Sequence, residues 1–138
     1  MRRGLFAFAL LASGFALAPA HAQDASAGEQ VFKKCKACHQ IGPGAHNAVG
    51  PNLTGVVGRK AGTAPDYNYS DANKKSGLTW DEATLKVYLK NPQAKVPGTK
   101  MSFPGLPKDT DIDDVIAYLK TFSAADAPAP AASPSPAN

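Results

Sequence analysis

The amino-acid sequence predicts a small all-α domain, and two observations support this fold class. Segments with helix-capping residues and apolar residues at three- and four-residue steps alternate with stretches rich in proline and glycine. No segment shows the two-residue alternation of apolar and polar residues that is typical of a strand. We therefore expect short helices that are joined by loops, without a sheet.

The N-terminal segment predicts export. Arg2 and Arg3 precede an apolar stretch over residues 5–18, and Ala20-His21-Ala22 then provides a small-x-small cleavage pattern. This order is typical of a secretory signal peptide. An uncleaved anchor is the alternative, but the apolar stretch is short for a membrane span. We expect residues 1–22 to be removed and the mature chain to reside in the periplasm.

The remainder of the chain fits one domain. The sequence has 15 basic and 11 acidic residues, with a net charge of +4, which becomes +2 without residues 1–22. So mild a charge excludes few classes of partner. After Ser123 the chain consists almost entirely of Ala, Pro and Ser, which predicts a disordered tail over residues 124–138. The domain of residues 23–123 is small, so a large apolar cofactor would help to stabilise it.

The first predicted helix follows a capping box at Ser26–Glu29 and carries Val31 and Phe32 towards the two cysteines. Gly28 lies inside this helix, where glycine is locally unfavourable. It indicates either close approach of another backbone or a tolerated glycine.

Turns and two further helices occupy the middle of the chain. Residues 42–58 are rich in Gly and Pro and predict turns. Ser70 can cap a short helix for which Gly77 is a plausible stop. A second capping box at Thr79–Glu82 begins a helix with one apolar face, which Asn91-Pro92 ends.

The C-terminal part of the domain predicts a loop and a last helix. Residues 93–107 contain repeated Pro and Gly and predict an extended loop. Asp109 or Thr110 opens the last helix, where acids at the start and Lys120 near the end complement the helix dipole. The packing residues of this helix are Val115, Ile116, Tyr118, Leu119 and Phe122.

The stretch Cys35-Lys36-Ala37-Cys38-His39 predicts the cofactor. Two thiols three positions apart, followed directly by a histidine, form the attachment pattern for covalent haem c. Cys35 and Cys38 would form the thioethers, and His39 would be an axial ligand of the iron. A disulfide would close too small a loop to stabilise the fold, and no βαβ pattern supports a redox dithiol. Zinc lacks ligands at a suitable spacing.

A haem has two faces, and His39 would bind the iron on one of them. A second axial ligand could bind on the other face. Met101 is the only methionine after Met1, and it lies in the middle of the Pro/Gly-rich loop. A thioether suits haem iron. The alternatives are a methionine that fills the core and ligation by His46, which follows His39 closely in the chain. We favour Met101.

Further motifs carry a family resemblance over most of the domain. They are Gly50-Pro51-Asn52-Leu53, Gly58-Arg59-Lys60, residues 67–74, Leu78-Thr79-Trp80, Tyr88-Leu89, Asn91-Pro92, residues 97–101 and residues 116–120. Together with the attachment motif, they resemble class I cytochrome c of the mitochondrial and short bacterial c2 or c-550 types. The resemblance implies the small class I cytochrome c fold, with helices and loops wrapped around one haem.

The resemblance also implies roles for the residues that surround the haem. The Pro51 carbonyl would accept a hydrogen bond from His39, and Gly28 and Phe32 would pack against Tyr118. Asn73 and Tyr88 match the polar pair near the methionine sulfur. The positions that match donors to the haem propionates are Arg59, Tyr69, Trp80 and Thr99. His46 lies one place away from the family's loop-bridging histidine, so we assign it no role.

The function that the resemblance implies is electron transfer. With both axial positions taken, we predict a monomeric carrier that is not an enzyme and does not bind nucleic acid. The implied donor is a quinol–cytochrome c reductase, and the acceptor is a terminal oxidase or a photosynthetic reaction centre. The alternative is a peroxidase-like or ligand-sensing haem protein with an open sixth position.

Docking would use a positive surface around the haem edge, with the acids of the last helix away from it. Those acids are Asp109, Asp111, Asp113 and Asp114. The lysines that we expect around the haem edge are Lys33, Lys34, Lys36, Lys60, Lys95, Lys100 and Lys108.

Overall fold

A computed structural model describes residues 23–123, which form five helices and contain no strand. The helices are α1 (Ala25–Phe32), α2 (Asp71–Lys75), α3 (Glu82–Lys90), α4 (Pro92–Lys95) and α5 (Asp109–Lys120). The prediction of an all-α domain is confirmed. The predicted signal peptide and C-terminal tail lie outside the described residues.

Helices α1 and α5 cross at close range, and the crossing depends on a glycine. A Cβ atom at Gly28 would lie 2.0 Å from the carbonyl oxygen of Asp114, so only glycine allows this approach. The rings of Phe32 and Tyr118 pack beside it, with centroids 5.3 Å apart. This confirms that Gly28 marks the close approach of another backbone, and that α1 packs against the last helix.

The core is formed by the apolar faces of α1, α3 and α5 and by the loops around them. Its most buried side chains include Phe32, Leu106, Val115 and Ile116. The loop residue Leu106 donates its backbone N–H to the carbonyl of Leu89 over 2.8 Å, which ties the loop to the end of α3. One side of this core is left open by the loops and forms a cavity.

The two predicted capping boxes are wrong in their position. Helix α1 is capped by Asp24, whose carboxylate accepts hydrogen bonds from the backbone N–H groups of Ser26 and Ala27. Helix α3 is capped by Asp81, which accepts from the N–H of Thr84 over 2.7 Å. In each case the helix begins at the residue directly after an aspartate.

Thr79 does not cap α3 because it lies in an extended segment two residues before the cap, Asp81. Thr79 and Lys60 form an isolated antiparallel bridge, and the neighbouring Trp80 N–H donates to the Arg59 carbonyl over 2.9 Å. These bonds hold residues 59–61 alongside residues 78–80. The pairing brings Arg59 and Trp80 to the same side of the domain.

The loop predicted over residues 93–107 contains one more helix. Asn91 ends α3, and its side chain then caps the short helix α4 by accepting from the N–H of Ala94 over 3.1 Å. Pro92 stands at the first position of α4, where a missing N–H costs nothing. From Val96 onward the chain is a loop, as predicted.

The other predicted boundaries agree with the structure. Ser70 caps α2 by accepting from the N–H of Asn73, and Gly77 follows its end with a φ of 67°, the left-handed conformation that favours glycine. Helix α5 begins at Asp109. Among residues 23–123 no helix is long and apolar enough to cross a membrane.

Candidate functional site: a cavity lined by two thiols, an imidazole and a thioether

A cavity of about 530 Å³ lies between α3, α5 and the long loops. Such a volume falls in the usual range for cofactor sites. Every residue predicted to bind the haem or its iron lines this cavity. They are Cys35, Cys38, His39, Pro51, Arg59, Tyr69, Asn73, Trp80, Tyr88, Thr99 and Met101.

The two thiols follow directly from α1. The chain continues after Phe32 in turns, in which the N–H of Cys38 and the N–H of His39 both donate to the Cys35 carbonyl, over 3.1 and 2.9 Å. This local winding keeps Cys35 and Cys38 on one wall of the cavity. Both cysteines are half-buried and unpaired.

The ionisation of Cys35 argues against a redox dithiol. Burial raises the pKa of the Cys35 thiol to about 11, although Lys34 opposes the shift. Reactive redox cysteines have lowered pKa values, because the thiolate is the nucleophile. Cys35 is therefore protonated at neutral pH and does not have the character of a dithiol catalyst.

His39 is fixed by a hydrogen bond on its outer side. The Nδ1 atom lies 2.8 Å from the Pro51 carbonyl oxygen, which only a protonated Nδ1 can satisfy. Burial lowers the pKa of His39, although the bond to Pro51 opposes the shift, so the neutral imidazole is favoured. The lone pair then resides on Nε2. This is the tautomer that an iron ligand needs.

A glycine makes room for this imidazole. A Cβ atom at Gly50 would lie 2.4 Å from Cε1 of His39, so the loop can pass the ring only where a side chain is absent. The N–H of Gly50 also donates to the Cys38 carbonyl over 2.7 Å. Gly50 was part of a recognised motif, but its contact with the ring could not be inferred from the sequence.

Met101 is held through its sulfur, its N–H and its carbonyl. The Tyr88 hydroxyl donates to the sulfur over 3.2 Å, and the N–H of Met101 donates to the Thr99 hydroxyl over 3.2 Å. The side-chain amide of Gln93 donates to the Met101 carbonyl over 2.7 Å. The sequence predicted Tyr88 near the sulfur and did not predict Gln93.

Arg59 and Asn73 line the cavity, and each has one buried polar atom without a protein partner. The terminal nitrogens of Arg59 donate to the carbonyls of Asn52 and Thr54, over 3.0 and 3.2 Å, but its buried Nε has no acceptor. The Oδ1 atom of Asn73 is likewise buried without a donor. Unpaired buried polar atoms are costly, so their occurrence in residues that line the cavity indicates a group that pairs with them.

The aromatic residues of the cavity pack on one another. The rings of Trp80 and Tyr88 have centroids 4.6 Å apart, and those of Tyr67 and Tyr69 have centroids 4.8 Å apart in an edge-to-face arrangement. The Tyr69 hydroxyl accepts from the N–H of Ala64 over 3.2 Å. Tyr69 thereby remains able to donate its own proton to a ligand.

The sequence did not identify the apolar lining. These side chains come from distant parts of the chain and share no local pattern. A partial signal existed for Leu85 and Leu119, which lie on the apolar faces of predicted helices, and for Leu53, which lies in a recognised motif. The apolar lining includes Val49, Leu53, Val56, Leu85, Phe103 and Leu119.

His46 lies outside the cavity. It is exposed, its Nε2 lies 3.1 Å from the side-chain nitrogen of Gln40, and its N–H donates to the Gln40 carbonyl oxygen Oε1 over 3.1 Å. His46 is therefore not positioned to replace Met101 as a ligand of the iron.

The sequence predicts seven lysines around the haem edge. Of those seven, only Lys34 and Lys100 line the cavity. The prediction that the acids of α5 lie away from these lysines is wrong for Asp111. Lys34 Nζ lies 3.8 Å from Asp111, because the crossing of α1 and α5 brings these helices together. Asp114 is only 7% exposed, and its carboxylate accepts from the N–H of Asp24 over 2.9 Å.

The residues of the cavity fit haem c. Two neighbouring thiols match the two attachment points, and the apolar wall suits a macrocycle. Arg59 Nε and the Tyr69 hydroxyl offer donors for carboxylates, and His39 and Met101 are a known pair of haem-iron ligands. Within residues 23–123 no group of three or more His, Cys, Asp and Glu side chains is placed to hold a metal ion.

Comparison with known proteins agrees with this chemistry. The family model described as cytochrome c matches residues 25–123. The chain is similar to cytochrome c2 from Rhodoblastus acidophilus, with 64% identity over 103 residues that cover 75% of this chain and 96% of that protein. It is also similar to cytochrome c2 from Blastochloris viridis, with 52% identity over 124 residues that cover 90% of this chain and 96% of that protein.

Solved structures give the same result. Cytochrome cH from Methylobacterium extorquens superposes with a TM-score of 0.68 and 60% identity, covering 71% of this chain and 98% of that one. Cytochrome c2 from Rhodospirillum centenum superposes with a TM-score of 0.69 and 45% identity, covering 72% of this chain and 98% of that one. The predicted resemblance is confirmed: this chain belongs to the cytochrome c family.

Proposed function

We propose that this chain is a one-electron carrier whose covalently bound haem c is ligated by His39 and Met101. When bound, the haem iron supplies the one-electron couple between its ferric and ferrous states. The observation that carries the proposal is the joint presence of Cys35, Cys38, His39 and Met101 on the wall of one cavity. The relatives named cytochrome c2 support the assignment to an electron carrier.

The protein residues have distinct tasks in this proposal. Cys35 and Cys38 form the thioethers, and Pro51 keeps the His39 imidazole oriented with Nε2 towards the cavity. Tyr88 orients the Met101 sulfur. We propose that Arg59, Tyr69, Trp80 and Thr99 donate to the propionates and that Asn73 completes the polar surroundings of the sulfur.

Met101 separates this proposal from a peroxidase-like or ligand-sensing function. A carrier needs no open coordination position, whereas those functions need the sixth position for a substrate or a gas. A methionine whose sulfur, N–H and carbonyl are all hydrogen-bonded is positioned to remain a ligand. We therefore assign no catalytic residue.

Visible spectroscopy of the oxidised protein tests the ligation. We expect the weak sulfur-to-iron charge-transfer band in the native protein and its loss in Met101→Ala. Val87→Ala is a matched control, because Val87 is 55% exposed on α3 and does not line the cavity. A native protein without the band that binds carbon monoxide or cyanide rapidly would contradict the proposal.

We further propose that the carrier works in the periplasm between membrane complexes. A quinol–cytochrome c reductase would reduce it, and a terminal oxidase or photosynthetic reaction centre would oxidise it. Lys34 and Lys100 line the cavity and would contact acidic surfaces of these complexes. The remaining predicted docking positions, Lys33, Lys36, Lys60, Lys95 and Lys108, would add a weaker and longer-range attraction.

Reaction rates with isolated membrane complexes at increasing ionic strength test the docking surface. We expect the rate to fall with salt, and Lys34→Gln and Lys100→Gln to reduce both the rate at low salt and the dependence on salt. Lys75→Gln is the charge control, because this exposed lysine of α2 does not line the cavity. Equal effects of all three variants would contradict a docking surface at the cavity.

A further inference from the structure

We infer that Gln93 is a positioning residue that controls how readily Met101 leaves the iron. The inference rests on the proposed ligation by Met101. It assigns a role to a residue outside the recognised motifs, on the short helix α4 that the sequence did not predict. Gln93 does not line the cavity, so it would act through the backbone of Met101 rather than on the haem.

A hydrogen bond links Gln93 on α4 to Met101 in the following loop. Its side-chain nitrogen Nε2 donates to the carbonyl oxygen of Met101 over 2.7 Å, across eight positions of the sequence. Helix α4 is a firm base for this contact, because Pro92 is fully buried and Asn91 caps the helix through the N–H of Ala94. The bond therefore ties the ligand's backbone to the helical part of the domain.

The two other bonds of Met101 cannot replace this one. Thr99 accepts from the N–H of Met101 but belongs to the same loop, so it moves with the ligand when the loop moves. Tyr88 holds only the sulfur, at the end of a flexible side chain. The carbonyl bond from Gln93 is therefore the contact that must break before the loop segment that carries Met101 can move away from the iron.

The consequence is a shift in the population of a loop-open state. In that state the bond to Gln93 is broken and the sixth position of the iron is accessible. A hydrogen bond of this kind has a modest net free energy, so its loss should raise the open population roughly two- to ten-fold. Global stability should change far less, because Gln93 is exposed and contributes little to the core.

Cyanide binding to the oxidised holoprotein tests the inference. At saturating cyanide the rate is set by the departure of Met101, and we expect this limiting rate to rise roughly two- to ten-fold in Gln93→Ala and Gln93→Glu. Glutamate has nearly the shape of glutamine but cannot donate to a carbonyl when it is ionised. Gln93→Lys restores a donor of sufficient reach and should return the rate towards the native value.

Gln30→Ala is the matched control, because Gln30 is an exposed glutamine of α1 that does not line the cavity. Denaturant unfolding of the same variants separates a local effect from general destabilisation. Native limiting rates in Gln93→Ala and Gln93→Glu would overturn the inference while the proposed ligation stands. A native protein that lacks the sulfur-to-iron band would instead overturn the ligation, and with it this role of Gln93.

Discussion

The hydroxyl of Tyr88 donates a hydrogen bond to the sulfur of Met101 across 3.2 Å. Burial raises the pKa of Tyr88, although the Thr99 hydroxyl opposes the shift, so the phenol keeps its proton at neutral pH. A donor on the thioether withdraws electron density from the sulfur lone pairs. In the proposed ligation by Met101, the sulfur would then be a weaker donor to ferric iron, and the reduced state would be favoured.

Tyr88→Phe should therefore lower the reduction potential. The ring and its contact with Trp80 are retained, and only the donor to the sulfur is lost. A net hydrogen-bond free energy of about 0.5–1.5 kcal/mol corresponds to roughly 20–60 mV for a one-electron couple. Potentiometric titration measures the shift. Tyr118→Phe removes a hydroxyl outside the cavity and should leave the potential unchanged, whereas an equal shift in both variants would contradict the assignment.

Gly28→Ala should destabilise the domain strongly. The new Cβ would lie 2.0 Å from the Asp114 carbonyl oxygen, and a backbone atom cannot move aside as a flexible side chain could. Helices α1 and α5 would have to separate, at a cost of about 3 kcal/mol in the free energy of unfolding. Chemical denaturation measures this loss. A change below about 0.5 kcal/mol, the usual size for a surface substitution, would show that the crossing is wider than described.

The position of the first helix cap gives another prediction. The Asp24 carboxylate accepts from two N–H groups at the start of α1, so Asp24→Ala should lower the free energy of unfolding by about 1 kcal/mol. Ser26→Ala should have little effect, because Ser26 is exposed and lies inside the helix. Thermal or chemical unfolding compares the two variants. A larger loss of stability for Ser26→Ala than for Asp24→Ala would show that Ser26 is the cap of α1, as the sequence predicted.

The error at this cap has a physical cause. Asp24 and Ser26 are both good capping residues, and local preference alone does not choose between them. The choice depends on tertiary structure, because the N–H of Asp24 is itself held by the carboxylate of Asp114 on α5. Similarly, the tertiary bridge between Thr79 and Lys60 keeps residues 78–80 extended, so α3 begins only after Asp81, which is its cap.

The site residues likewise divide into those with a local signal in the sequence and those that depend on tertiary structure. Cys35, Cys38 and His39 were predictable because their chemistry depends on a pattern within five consecutive residues of the chain. Met101 was identified because few soft ligands remain in the sequence. By contrast, Gln93 and the apolar lining act through contacts between segments that have no shared periodicity. Helix α4 did carry a local signal, since Asn91-Pro92 can begin a helix as well as end one.

The last prediction concerns acid stability and Glu82. Hydrogen bonds from Lys120 and Gln23 lower the pKa of Glu82 from 4.5 to about 2. Because the folded-state pKa is below the unfolded value, the stabilisation is fully present above about pH 4.5 and is lost as the pH falls towards 2. The carboxylate is on the surface of α3, so we expect only about 0.5 kcal/mol.

Glu82→Gln should therefore lower the free energy of unfolding at pH 7, and the difference from the native protein should shrink between pH 4.5 and 3. Denaturant unfolding at several pH values measures the difference. Glu29→Gln removes the same charge from an exposed position on α1 and supplies the reference for a general charge effect. A difference for Glu82→Gln that stays constant down to pH 3 would mean that packing around Glu82, rather than its ion pair with Lys120, provides the stabilisation.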